Sequence, residues 1–315
     1  MSWPLSQDFN EAVQNASTAF SDPVLKGGKV VTNPMGMPIP RSGNYADVYQ
    51  VMGADGQAWA VKCFTRAVAT GIEGRFAAIA DHLNQANLPF TVGFDFQPEG
   101  IRVRGVKYPI VKMQWVDGYP INQFVHDNLN RASILEAMLS LWVRLCRRLR
   151  ETGMAHCDIQ HGNVLLVPAT GKNSTLGLKL VDYDGLYVPA LEGKPSGEAG
   201  HASYQHPERV YTGAYSADLD RFPHLVVATA LRGLLIGGPA MWKKYDNGDN
   251  LMFSEKDFKQ PAQSRLMREL WDTGDPFTVG LVGHLALACT KPLAQTPWLD
   301  QLMPGGQPPD RKSVV

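Results

Sequence analysis

The stretch His156–Leu166, HCDIQHGNVLL, sets a carboxylate, Asp158, five residues before a carboxamide, Asn163, and follows both with an apolar run. This spacing has two readings. One is turn chemistry, in which short polar side chains satisfy the backbone of a loop. The other is a shared phosphate site, where the carboxylate accepts a proton and the amide oxygen takes a hard cation without adding charge. Two further segments carry chemistry of the same kind. In LKLVDYDG an apolar strand runs into Asp182 and Asp184, two carboxylates two residues apart. In AWAVKCF, Lys62 sits inside an apolar β-run, where its ammonium must reach a partner or snorkel to water.

These residues need elements to hold them. YADVYQV and AWAVKCF read as two strands joined by a hairpin at Asp55-Gly56, and IRVRGV and YPIVKMQWV as two more. Between the pairs, GIEGRFAAIADHLNQ has helical spacing, with Ile72, Phe76, Ile79 and Leu83 on one face. After VDGYP the character changes. SILEAMLSLWVRLCRRLRETG predicts an amphipathic helix with Leu135, Met138, Trp142, Leu145 and Leu149 on one stripe and Gly153 as its stop. NVLLV and LKLVD are short strands, and the remainder reads as helical. The expectation is an α+β, bilobal chain: an N-terminal extension plus a small β-rich lobe over 1–116, a larger helical lobe over 117–303, and a Pro/Gly-rich tail over 304–315. A cleft between lobes is the natural place for a ligand.

Composition narrows the function classes. Thirty basic residues cancel thirty acidic ones, which argues against nucleic acid or an anionic membrane surface as a partner. Cys63, Cys146, Cys157 and Cys289 form no C-x-x-C pair and read as reduced intracellular thiols rather than a zinc site or a disulfide frame. The start lacks the basic and apolar regions of a signal peptide, and HLVVATALRGLLIGG is interrupted by Arg232, which suits a buried helix. The expected location is the cytoplasm. The arginines at 144, 147, 148 and 150 read as a solvated helix face.

Five motifs then stand in one order. RSGNYADVY carries Gly43 and Val48, AVKCF carries Lys62, HCDIQHGN carries His156, Asp158 and Asn163, VDYDG carries Asp182, and GHASYQHPE carries Gly200, Tyr204, Pro207 and Glu208. Asp220 follows twelve residues after Glu208, ahead of the apolar run from Leu225 to Leu235. Over roughly residues 40 to 235 the chain resembles a divergent, bacterial-type eukaryotic-like Ser/Thr protein kinase.

The resemblance implies ATP and magnesium. It makes Asp158 the residue positioning the acceptor hydroxyl, Lys62 the anchor of the α/β-phosphates, and Asn163 and Asp182 the metal ligands, with Asp184 as the alternative to Asp182. MQWVDG becomes the hinge, with Met113 as gatekeeper and the main chain of Gln114 to Val116 facing adenine. Gly43 and Val48 lie in the phosphate-covering loop, and Glu73, with Asp81 as alternative, stands for the glutamate partner of Lys62. Glu208 is expected to be buried against Arg265 or Arg268, and Ser196, Ser203 and Tyr204 to be candidates for autophosphorylation. The implied partner is a protein substrate, and some members of this type are associated with a phosphatase 2C and a von Willebrand A protein.

The chain also departs from the pattern. Arg41 and Ala46 replace two glycines of the loop, Cys157 replaces the arginine of H-R-D, and Gln160 stands where a lysine near the γ-phosphate is usual. These departures keep two other functions in view: a pseudokinase scaffold, and a small-molecule phosphotransferase of the aminoglycoside or choline kinase type. The second lacks the segment that closes on Pro207-Glu208.

Overall fold

The computed structural model describes residues 3–168 and 175–303, so the tail over 304–315 lies outside the described residues. The chain is a mixed α+β protein that divides into two compact units. One runs up to Asn87 and resumes over Val92–Asp117; the other comprises Leu88–Thr91 and the chain from Gly118 onward.

The first unit opens with three short helices, α1 (Ser6–Val13), α2 (Ala16–Ala19) and α3 (Pro23–Lys26). Strands β1 (Lys29–Val30), β2 (Arg41–Ser42), β3 (Ala46–Met52) and β4 (Ala58–Phe64) follow, then helix α4 (Ile72–Ala86), β5 (Phe94–Val103) and β6 (Val106–Gln114). They make one antiparallel sheet in the order β1-β3-β4-β6-β5, with β2 also pairing β3. The expected β3–β4 hairpin turns at Gly56, whose φ of +76° needs a residue without a Cβ. β5 starts earlier than the IRVRGV segment, at Phe94. Its pairing shifts between Gln97 and Ile101, where Pro98 cannot donate to a ladder.

Strand alternation gives this sheet two different faces. Tyr49, Val51, Val61, Cys63 and Ile110 point to one side and are sealed by Phe9, Val13, Phe20 and Leu25 of the N-terminal helices. Burying Phe9 completely contributes about 2–3 kcal/mol. The Tyr49 hydroxyl donates to Asn10 Oδ1 at 2.8 Å, and Lys112 reaches Asp22 at 2.9 Å, which ties α3 to the sheet. α4 buries Phe76, Ile79 and Leu83, and Phe76 packs with Phe64, Val111, Phe94 and Phe96.

The second unit holds β7 (Tyr119–Pro120), α5 (Ile121–Asp127), α6 (Ala132–Glu151), β8 (Val164–Val167) and β9 (Gly177–Leu180). It continues with α7 (Arg209–Thr212), α8 (Arg221–Tyr245), α9 (Glu255–Lys259), α10 (Arg265–Asp272), α11 (Pro276–Ala288) and α12 (Leu299–Leu302). β7, β8 and β9 form a small antiparallel sheet. The predicted stripe of α6, Leu135 through Leu149, is buried. The helix stops at Gly153 (φ +67°), where Met154 N–H returns to Leu149 O at 3.1 Å.

α8 is the centre of this unit. Leu225, Val226, Ala228, Ala230, Leu231 and Leu234 are fully buried, and Trp142 of α6 donates to the His224 carbonyl at 3.1 Å. The helix bends at Gly238, whose non-helical backbone precedes Pro239. One basic residue departs from expectation. Arg150 is not part of a solvated face: it grips the buried Asp300 of α12 at 2.6 Å, with Arg147 at 3.9 Å.

Candidate functional site

The loop before β8 is built around Asp158 and Asn163, and the two side chains meet directly. Asn163 Nδ2 donates to Asp158 Oδ2 at 2.9 Å and to the Asp158 carbonyl at 3.0 Å. Committing that nitrogen orients the amide, so the Asn163 oxygen faces away from Asp158 as a neutral donor for a cation. The second Asp158 oxygen accepts from the main-chain N–H of His201 at 2.8 Å. Gln160 closes the turn locally, its side-chain oxygen accepting from Gly162 N–H at 2.7 Å.

Asp182 arrives from the adjacent strand end. Val181 N–H donates to the Asn163 carbonyl at 3.0 Å, and the Val181 carbonyl lies 3.0 Å from His156 Nε2. Asp182 is half-buried with φ +66°, and Cys157 has the same positive φ. A left-handed backbone at a residue with a Cβ costs on the order of 1–2 kcal/mol, so both segments are held by what surrounds them. Tyr183 is buried and its hydroxyl donates to the Leu180 carbonyl at 2.9 Å, which pins the residue after Asp182.

What holds Cys157 is Asp220. Its carboxylate, 1% exposed where α8 begins, accepts from His156 N–H at 2.5 Å and from Cys157 N–H at 2.8 Å. Burial pushes the Asp220 carboxyl above its ordinary value, while His156, the two amides and the Arg209 charge pull the other way. The spacing singled out Asp220, but the partner of its carboxylate lies 64 residues back.

Arg209 is a residue that spacing did not reveal. It is buried, and its guanidinium bonds the Cys157 carbonyl, the Gln205 side chain at 2.5 Å and the Glu198 carbonyl at 3.0 Å. One cation therefore clamps the 156–163 loop to the 198–209 segment.

Other expectations in this segment change. Glu208 is half-exposed and accepts from Leu293 N–H at 2.7 Å, so neither Arg265 nor Arg268 is its partner. Tyr204 is fully buried with its hydroxyl 3.3 Å from His161 Nδ1, and burial raises its phenol above the ordinary value. In this arrangement it is closed to modification. Ser196 Oγ donates to the Glu198 carbonyl at 2.6 Å.

The remaining named residues lie in the first unit. Lys62 is half-buried on β4, paired in register with Val48 of β3 and Val111 of β6, and its Nζ is 5.8 Å from the centre of the Phe64 ring. Val48 and Lys62 thus share the face opposite the N-terminal helices. Gly43 sits exposed in the β2–β3 loop, its N–H bonded to the Ala46 carbonyl at 2.9 Å. Met113 is 8% exposed opposite Ala60. Gln114 N–H donates to Gly93 O at 3.2 Å and Trp115 N–H to Ala58 O at 3.0 Å. Any base contact by this segment therefore falls to its carbonyls and to Val116 N–H. A cavity of about 390 Å³ lies here, lined by Gln50, Gln57, Ala58, Gln114, Trp115 and Asp117. Glu73 and Asp81 are both exposed on α4, off its buried stripe.

Among the described residues no cluster of three or more His, Cys, Asp or Glu side chains is arranged to hold a metal alone. No family model matches this chain, and no curated protein matches it. The class that the described chain defines is thus an α+β protein with a carboxylate–amide site braced by a buried aspartate and a buried arginine.

Proposed function

We propose that this protein is an ATP- and Mg²⁺-dependent protein kinase of bilobal kinase-like fold, transferring the γ-phosphoryl group to Ser or Thr hydroxyls. The observation that carries the reading is the bonded pair of Asp158 and Asn163, held by Asp220 through the amides of His156 and Cys157. A carboxylate whose oxygens are fixed by Asn163 and by His201 N–H is positioned to orient a hydroxyl and accept its proton. The Asn163 oxygen and the Asp182 carboxylate are hard donors of the kind Mg²⁺ prefers. Two protein ligands suit an ion that keeps waters and enters with the nucleotide phosphates. When bound, Mg²⁺ neutralises phosphate charge.

In this reading Lys62 binds the α/β-phosphates as a point charge and Val48, its register partner, packs on the nucleotide. The carbonyls of Gln114 and Trp115 and the N–H of Val116 face adenine, with Met113 behind them. Positioning and charge stabilisation supply nearly all the acceleration in such a transfer, so each anchor counts.

The test is transfer of labelled γ-phosphate to a generic protein acceptor, with Asp158→Ala as control. Transfer that falls by about a thousandfold or more in the variant supports the reading. The exposed Glu73 and the Gln160 turn favour a second one, a pseudokinase scaffold. A thermal shift with ATP and Mg²⁺ but no transfer would select the scaffold, and neither shift nor transfer would end the kinase reading.

A further inference from the structure

Three side chains outside the Asp158–Asn163 pair converge next to it. His201 Nε2 lies 3.2 Å from Asp249 Oδ1 and His161 Nε2 lies 3.8 Å from the same oxygen. The rings meet edge-on with centroids 5.6 Å apart. Ser203 N–H donates to His201 Nδ1 at 3.2 Å, and the buried Tyr204 hydroxyl stands 3.3 Å from His161 Nδ1. A neutral His201 that accepts at Nδ1 carries its proton on Nε2, the edge that lies toward Asp249.

Asp249 is a weakly held occupant. Its side chain is 74% exposed, whereas the two imidazoles are 17% and 26% exposed. Its loop is shaped without them: Asp249 N–H bonds Asn247 Oδ1, and the buried Asn250 holds Asn247 N–H and the Tyr245 carbonyl. Rotating the Asp249 side chain away leaves that loop intact and leaves two imidazole Nε2 edges beside the backbone that bonds Asp158.

We propose that His161 and His201 form an oxyanion-holding subsite next to Asp158, that it takes an acidic side chain of a protein substrate, and that Asp249 fills it from within the chain until one binds. The subsite deepens the kinase reading and rests on it only for what Asp158 does to the acceptor. His201 N–H bonds Asp158, so at about 3.3 Å per extended residue the acid falls within two or three positions of the acceptor. The charges of Asp158 and Asp246 also act on His161, so an incoming acid competes with them as well as with Asp249.

The experiment measures anisotropy of labelled serine peptides carrying Asp, phosphoserine or Asn at each nearby position, without nucleotide. The proteins are wild type, Asp249→Asn, His201→Gln and the His161→Gln/His201→Gln pair. Removing the competing Asp249 charge should tighten acidic peptides by up to about fivefold in Asp249→Asn, with Asn peptides unchanged. The paired substitution should erase the acid preference, and His201→Gln should reduce it should the pair fold poorly. An acid-to-neutral ratio identical in wild type, Asp249→Asn and His201→Gln overturns the subsite, even where transfer from ATP is robust. A ratio that moves while transfer is absent sinks the kinase reading and keeps the subsite. Preference for phosphoserine over Asp identifies a phosphate-primed substrate as the source of the oxyanion.

Discussion

The 156–163 loop and the 41–46 loop carry the same kind of expectation and are built in opposite ways. In the first, Asn163 and the His201 amide bond Asp158, Asp220 holds the His156 and Cys157 amides and Arg209 the Cys157 carbonyl, and Asn163, Asp220 and Arg209 are buried. In the second, Gly43 is exposed and one main-chain bond to Ala46 shapes the turn. A loop that must hold reacting atoms to fractions of an ångström needs over-determination, whereas one that covers a ligand through its backbone does not. In the proposed kinase reading, the missing glycines at 41 and 46 should therefore cost less than a change around Asp158.

The sharpest way to break this contrast is Asp220→Ala. It leaves the His156 and Cys157 amides buried without an acceptor and removes the brace of a left-handed residue. We expect a loss of about 3–5 kcal/mol in denaturant unfolding and loss of any Asp158-dependent activity. A cost below about 1 kcal/mol would mean the loop is held elsewhere.

Arg209→Met should follow, at about 2–3 kcal/mol, because it frees the Cys157 and Glu198 carbonyls while keeping the volume. Limited proteolysis near Glu198 should speed up in step. Lysine at this position should not rescue, since a single ammonium cannot span the Cys157 carbonyl, Gln205 and Glu198 together.

Acid sharpens the comparison. His224, fully buried in α8, has its pKa lowered to about 3 by burial, so the folded state keeps it neutral. The unfolded chain protonates it near 6.5, hence the unfolded state binds more protons and stability falls as pH drops from 6.5 towards 3. The loss from this group approaches about 1.4 kcal/mol per pH unit in that window. Burial lowers His206 and His161 also, with the same sign. Melts of wild type and His224→Gln should run parallel above pH 7, and below pH 6 wild type should lose stability more steeply than the variant.

The smallest effect belongs to Gly43→Ala. Its φ is not positive, and an added Cβ meets only the Ala46 carbonyl at 3.7 Å, ordinary contact. Stability should move by less than about 0.5 kcal/mol, and an ATP-dependent thermal shift should persist.

Local features were legible. The helices at α4 and α6, the β3–β4 hairpin and the buried α8 follow from periodicity and turn chemistry. So did the Asp158–Asn163 pair, since one loop supplies both. What escaped were contacts between distant segments. Arg150 looked solvated until Asp300 met it, Glu208 found an amide at Leu293, and the N-terminal helices sealed one face of the sheet.

By itself the sequence determined the main helices, the β3–β4 hairpin and the residues of the Asp158 loop, because these depend on intervals of a few residues. Only the tertiary structure decided which groups brace them. Asp220 on two amides, Arg209 on two carbonyls and two imidazoles on Asp249 each span tens of residues. Such bonds form where packing has already paired the segments and excluded the water that would otherwise satisfy them.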